Sequence, residues 1–210
     1  EGLLRSLQSL EQLPLHVGGR FALARQGHEH YLRLGEPATV TLYGPAKLPA
    51  WAGKLPFRER VQACGNGPFD WSPFSFGADT LDPTLNARGL ERAPDSTSAS
   101  GVVSSMPERA ILELCDDAED SAQVHEANAI MQGLATLRPH LVCTLLQHCN
   151  SIKAKRLFLA LADRNHHAWL AHVELQSVDL GHGKRVLVRD GKLNAKYQVT
   201  LPADLDEQLG

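Results

Sequence analysis

Apolar residues near the start of the chain recur at helical spacing. Leu3, Leu4, Leu7 and Leu10 fall at i, i+1, i+4 and i+7, which puts them on one face. The pattern predicts an amphipathic helix over 2–12, ended by Pro14. Phe21, Ala22, Leu23 and Ala24 predict a second, short helix that follows Gly18-Gly19, with Gly27 where a C-terminal cap belongs. The period then changes. ATVTLYG (38–44) alternates Val40 and Leu42 against Thr39, Thr41 and Tyr43, the pattern of a half-buried strand, and Gly44-Pro45 ends it. FRERVQA (57–63) alternates in the same way, so a second strand is expected there. Residues 64–100 show no period. They carry Pro68, Pro73, Pro83, Pro94 and several glycines, and read as an insertion loop or long connection, anchored by Trp71, Phe74 and Phe76. Gly101–Ser104 is expected to be a short strand feeding the next helix.

From Ser105 onward helical patterning dominates. SMPE (105–108) matches a capping box, in which Ser105 accepts from the N–H of Glu108 and Glu108 reaches back. Pro107 fits a first turn, where its missing donor is not needed. Ala110, Ile111, Leu114 and Cys115 form the apolar stripe of this helix. A second helix is expected over 121–132, started by Ser121 and stopped by Gly133. A third starts at Pro139. A fourth, 151–163, sets Ile152, Leu157, Phe158, Leu161 and Ala162 against Lys153, Lys155, Arg156 and Arg164. HHAWLAH (166–172) predicts one more helical turn. The tail returns to strand patterning, with Arg185–Arg189 and Lys196–Leu201 as strands and Asp190-Gly191 as a turn between them. The fold class is therefore α+β: a mixed or antiparallel sheet of separated short strands with a cluster of short helices packed on it. Residues 1–104 form an N-terminal α/β portion and 105–210 a helical portion ending in a hairpin, together one composite domain.

Composition excludes several classes. The chain has 210 residues, 43% of them hydrophobic and 21% charged, ordinary globular usage. No apolar run is long enough to span a membrane. Four cysteines without a CxxC pair suit a reducing compartment, so a cytoplasmic location is expected. The formal net charge of −3 hides a strong polarity along the chain. Residues 105–150 hold two basic against seven acidic side chains, and 151–200 hold nine basic against four acidic. These blocks are expected to attract each other or to face different partners.

Catalytic patterns are missing from the sequence: no Walker loop, Rossmann glycine pattern, HExxH or GxSxG. His166, His167 and His172 lack a metal-ligand spacing; His166 and His167 are read as capping the end of the fourth helix, where cations interact well with its dipole. Gly18-Gly19-Arg20 has the look of a phosphate site at a helix start, but glycines that allow a tight turn explain it better. Arg109 is expected to pair with Glu113, four residues on. The strongest electrostatic feature is the basic set Lys153, Lys155, Arg156, Lys184, Arg185, Arg189, Lys192 and Lys196. If the hairpin packs beside the fourth helix, these form one positive surface for nucleic acid or an acidic protein. Reversing Lys153, Lys155 and Arg156 to Glu is then expected to cost at most ~0.5 kcal/mol of stability, as for exposed positions.

Four segments together resemble one family. HVGGRFALARQG, VVSSMPERAILEL, MQGLATLRPHLVCTLLQHCNSIKAKRLFLALAD and VDLGHGKRVLVRDGKLNAKYQVTLP look like the C-terminal part of AbiEi-type antitoxins, from bacterial type IV toxin–antitoxin systems with a role in phage defence. The resemblance implies an N-terminal winged helix-turn-helix that binds the operator, and a C-terminal domain that counteracts a nucleotidyltransferase-like toxin. Only a short stretch precedes the VGGR segment, so this chain is expected to be the antitoxin part without its winged helix. The implied partners are the cognate toxin and, mainly through the winged helix, operator DNA; no cofactor, catalytic residue or metal is implied. Two other readings remain open. One is a metal-dependent nuclease-like or hydrolytic enzyme using Glu108, Glu113, Asp116 or Asp117 of the acidic block 108–120. The other is a dimerisation or scaffold module.

Overall fold

The computed structural model describes residues 2–28, 39–54, 59–69, 83–95 and 98–205. A five-stranded mixed sheet carries a layer of helices, as the α+β expectation required. Its strands are β1 (His16–Val17), β2 (Thr39–Tyr43), β3 (Arg60–Ala63), β4 (Leu90–Asp95) and β5 (Ser98–Ser105), in the order β3-β2-β1-β5-β4. β1 runs antiparallel to β2 and parallel to β5, β2 and β3 are parallel, and β4 is antiparallel to β5.

The central strand β1 is only two residues long, and a side chain extends its row. The Gln8 amide donates to the carbonyls of Leu15 (2.9 Å) and Val103 (3.1 Å) and accepts from the Val103 N–H (2.8 Å). It takes the place of a peptide group that a longer β1 would offer, which satisfies a buried stretch of β5. Gln8 comes from the opening helix, α1 (Gly2–Arg5), which continues as a π-helical turn over Ser6–Leu10. Leu3, Leu4 and Leu7 of this element are buried, whereas Leu10, at 80% exposure, faces solvent.

α2 (Gly19–Arg25) closes as expected. Gly27 has φ +83°, the Gly27 N–H donates to the Ala24 carbonyl, and the His28 N–H donates to the Leu23 carbonyl. That is a complete Schellman cap. The helical layer continues with α3 (Pro83–Ala87), α4 (Pro107–Asp117), α5 (Ser121–Gln132), α6 (Pro139–His148) and α7 (Ile152–Arg164). α7 is the most enclosed, buried without a break from Ala154 to Ala162, between α4, α5 and the C-terminal hairpin. One apolar cluster joins Leu3 and Leu7 of the first helix to Phe158 of α7 and Leu205 near the C-terminus.

Several local expectations change. Residues 64–100 are not simply a connection, because α3 and β4 lie within them. β4 is an edge strand with a register shift between Ala93 and Asp95, a setting that tolerates Pro94 and blurs the alternation. The capping box at Ser105 does not form. α4 has Met106 at its N-cap without a side-chain bond, while Ser105 and Glu108 are used elsewhere. α5 carries a true capping box one residue before the expected start, between Asp120 and Gln123. Arg185–Arg189 is not a strand; only Arg185 makes a bridge, to Val199. The C-terminal hairpin is instead β6 (Lys192–Asn194) with β7 (Val199–Leu201), turning over 195–198. The Thr200 hydroxyl accepts from the N–H groups of Leu187 (2.9 Å) and Val188 (3.3 Å), so a side chain substitutes for the ladder that 185–189 lacks. Phe57 and Arg58, the anchors Trp71, Phe74 and Phe76, and the acidic Asp206 and Glu207 lie outside the described residues.

Candidate functional site

The basic set does not form one surface. Lys155 and Arg156 are 4% and 3% exposed, although both were expected on the outer face of α7. Arg156 donates to the carbonyls of Leu180 (2.7 Å), Gly183 and Gln198 (3.0 Å), and so fastens the loop before the hairpin from beneath. Helical periodicity cannot detect this, because a guanidinium that satisfies three carbonyls can lie under a loop as readily as on a surface. Reversal of Lys155 and Arg156 is therefore a core substitution, and the small cost expected for exposed positions does not apply. Lys153 is half-buried and donates to the Ala118 carbonyl (3.2 Å). Lys196 is exposed and pairs with Asp163 (2.7 Å). Lys184, Arg185, Arg189 and Lys192 are exposed along one loop and the start of β6. Val186 is 60% exposed and Leu193 39% exposed among them.

A buried polar cluster joins the sheet to the helical layer. Glu113 of α4 is fully buried and accepts four donors. They are Arg109 Nε (2.7 Å), the Ser105 hydroxyl (2.8 Å), the Gly19 backbone N–H (2.9 Å) and His16 Nε2 (3.0 Å). An ionised carboxylate only accepts, so His16 carries its proton on Nε2. Burial alone raises the Glu113 carboxyl, but the hydrogen bonds and charges of His16 and Arg109 hold it below the usual carboxylate range. Burial, aided by Arg109, lowers His16 below an ordinary imidazole. The Arg109–Glu113 pair was predicted from its spacing and is present. Arg109 also lies over the Phe69 ring at 4.2 Å and donates to the Arg88 carbonyl at 3.0 Å.

This cluster explains the double glycine. A Cβ on Gly18 would stand 2.2 Å from Glu113 Oε2 and 2.6 Å from the Tyr43 ring. The start of α2 thus comes against an internal carboxylate, which occupies the place a phosphate would take at a helix N-terminus. Arg20 turns away and pairs with Glu126. From His16 the polar line runs outward: Tyr43 stacks on His16, with ring centroids 5.8 Å apart, and its hydroxyl donates to Asp117 (2.6 Å). Burial raises Asp117 above an ordinary carboxyl, and Asp116 and Glu113 add to this against the Tyr43 bond. Asp117 lines a groove of about 410 Å³ together with Arg20, Thr41, Gln62, Cys64, Asp116 and Glu119.

The acidic block is thus divided. Glu108 is 2% exposed and grips Arg138 through Nε (2.9 Å), Nη2 (3.0 Å) and the Arg138 backbone N–H (3.0 Å). With Glu113, it is committed to internal donors, while Asp116 and Asp117 face the groove. Among the described residues no three His, Cys, Asp or Glu side chains cluster as a metal site. His167 is not a cap for α7, whose C-cap is Asn165. Its ring bonds the Met131 carbonyl (2.7 Å) in the last turn of α5 and stacks on Trp169. No helix among the described residues is long and apolar enough to cross a membrane.

A family described as "Transcriptional regulator, AbiEi antitoxin, Type IV TA system" matches residues 37–202, which covers most of the sheet and all of α4 to β7. The chain belongs to the AbiEi antitoxin family. A crystal structure of the RV2827C protein from Mycobacterium tuberculosis has the same fold, with a TM-score of 0.58 and 18% identity over 99% of this chain and 70% of that one. No curated protein matches the chain. AbiEi membership makes this a protein of a regulatory, toxin-antagonising kind, as the four resembling segments implied.

Proposed function

We propose that this AbiEi-family chain is the part of the regulator that counteracts a nucleotidyltransferase-like toxin, and that it assists operator binding by a winged helix belonging to the same protein. The family match across 37–202 carries this reading. The polar chemistry of the chain agrees with it. The buried carboxylates Glu108 and Glu113 are held by Arg138, Arg109, Ser105, His16 and Gly19, an arrangement that fixes the fold. The contact surface in this reading is the exposed remainder of the basic set, Lys184, Arg185, Arg189 and Lys192, with the exposed Val186 and Leu193 next to them in the chain. Cations that flank exposed apolar side chains suit a macromolecular partner with an acidic or phosphate-bearing face.

Two assays in the regulator test the surface. A variant with Lys184, Arg185, Arg189 and Lys192 changed to Glu is compared with wild type in a promoter reporter and in rescue of toxin-expressing cells. Loss of either activity with an unchanged circular dichroism spectrum is expected. Full repression and full rescue by a folded variant would remove this loop from the contact surface.

A further inference from the structure

The chain holds six asparagines, and one of them, Asn66, precedes a glycine. Asn66-Gly67 forms the crest of a turn over 65–68, between β3 and the bridge that Phe69 makes with Cys149. The turn is fastened on both sides of that crest. The Gly65 carbonyl accepts from the Gly44 N–H (2.6 Å), and the Pro68 carbonyl accepts from the Asn150 N–H (2.8 Å). Asn66 and Gly67 are exposed, while Pro68 and Phe69 are buried. Among the described residues, neither the Asn66 side chain nor the Gly67 N–H makes a hydrogen bond. The other asparagines precede Ala87, Ala129, Ser151, His166 and Ala195, whose side chains shield the backbone nitrogen that follows each asparagine. Asn128 accepts from Asn165, and Asn194 accepts from the Tyr197 N–H, so three of those side chains are also occupied. The fold calls for glycine at position 67. Its φ is +60°, and a Cβ there would stand 2.7 Å from the Tyr43 ring. Next to Asn66 the fold thus keeps the one residue type that leaves its amide nitrogen open on every side.

We propose that Asn66 is a site of spontaneous deamidation, which adds a negative charge at the crest of this turn as the folded chain ages. The Gly67 nitrogen gives up its proton to solvent and bonds to the Asn66 side-chain carbonyl carbon. The side-chain nitrogen leaves as ammonia, taking a proton from water. The cyclic imide so formed joins positions 66 and 67, and water then adds to one of its two carbonyls. Opening on one side gives an aspartate with the backbone path unchanged. Opening on the other gives an isoaspartate, whose backbone runs through the side-chain carbons. Nothing is oxidised or reduced, and water is the only co-reactant. The isoaspartate lengthens the backbone by one methylene between two fastened carbonyls, against the Tyr43 ring. Tyr43 holds Asp117 at the groove (2.6 Å), and Cys64, two residues before Asn66, lines the same groove. Both products bring charge to this side of the fold, but only the isoaspartate also shifts the turn on Tyr43. The inference does not rest on the antitoxin reading, because it concerns the chemistry of the chain alone.

Peptide mapping by mass spectrometry tests it, on the folded chain held in neutral buffer and sampled over time. A gain of about 1 Da, NH2 being replaced by OH, is expected in the peptide that carries Asn66 and Gly67, with the other asparagines unchanged. The product is expected to resolve into aspartate and isoaspartate forms. The rate is expected to rise with pH, because the attacking nitrogen must lose its proton. A free peptide of sequence ACGNGPF, residues 63–69, serves as the unfolded reference. The folded chain is expected to convert within about tenfold of the peptide's rate, whereas a turn that keeps nitrogen and carbonyl out of line slows closure about a hundredfold or more, and that result overturns the proposal. So does a mass gain that begins at another asparagine, or one that persists in Asn66→Gln, whose longer side chain closes a less favourable ring. Thermal melting reads the reach of the change. The isoaspartate fraction is expected to melt below the fresh chain, and Asn66→Asp to melt with it. An isoaspartate fraction that melts with the fresh chain overturns the shift of the turn on Tyr43.

Discussion

Removal of the Glu113 carboxylate has the largest consequence that follows from the buried cluster. In Glu113→Ala, Arg109 keeps its place at 2% side-chain exposure but loses its carboxylate. Breaking one side of a buried ion pair costs about 3–5 kcal/mol. The Ser105 hydroxyl, the Gly19 N–H and the His16 ring lose their acceptor as well. A buried donor left unsatisfied costs about 1–3 kcal/mol. These terms overlap, because Arg109 retains the Arg88 carbonyl and the Phe69 ring, and a cavity this polar can admit water. A loss of about 4 kcal/mol or more is the expected sum, a large share of the ~5–15 kcal/mol that holds a typical domain folded. Urea denaturation followed by circular dichroism reads it directly. The double variant Arg109→Met/Glu113→Leu removes both charges and is expected to be more stable than Glu113→Ala alone. If Glu113→Ala costs less than ~1 kcal/mol, the range of an ordinary single hydrogen bond, the cluster is not what joins sheet and helices.

Further outcomes follow from the same contacts. Gly18→Ala drives a Cβ into Glu113 and Tyr43, so a loss of about 1–3 kcal/mol or more is expected in the same denaturation assay. Arg156→Ala removes the donor shared by three carbonyls and is expected to loosen 180–198, read as faster amide hydrogen exchange there with α4 to α6 unchanged. Stability is expected to fall with acid in two stages. His16 is lowered in the folded chain, so its contribution is complete above the unfolded value of about 6.5 and declines as pH drops through that window. Glu113 is also lowered, so its contribution declines below about 4.3. A melting temperature flat from neutral pH to below the carboxylate range contradicts both assignments. Native-state thiol labelling is expected to modify the exposed Cys64 and to spare the buried Cys115 and Cys149. Burial raises all three thiols, Cys149 to about 11, so access decides the order.

Much of the helical layer was legible because its periodicity and punctuation agree. Pro107, Pro139 and Ser151 mark helix starts, and the Gly27 cap formed as spaced. The sheet was less legible where side chains replace backbone partners. β1 has only His16 and Val17 and depends on the Gln8 amide from another element, which no local alternation records. Arg185–Arg189 has strand-like residues but takes its support from the Thr200 hydroxyl and from backbone bonds of Arg185 alone, to Gln198 and Thr200. The candidate surface suffered for the same reason. Lys155 and Arg156 carry the charge of a solvated face while lying in the core, because the carbonyls that satisfy Arg156 are 24 to 42 residues away in sequence. Ser105 and Glu108 matched a capping box by type and spacing, yet Glu113 and Arg138, contributed by tertiary packing, outcompeted it.

The function proposed for this AbiEi-family chain has it act through its exterior, as the part that counteracts a toxin. Its most direct test is growth of cells that co-express the chain with a nucleotidyltransferase-like toxin, the partner proposed for it. Viable counts restored to those of toxin-free cells are the predicted result. Cells that stay arrested while the chain is present, soluble and folded would contradict it.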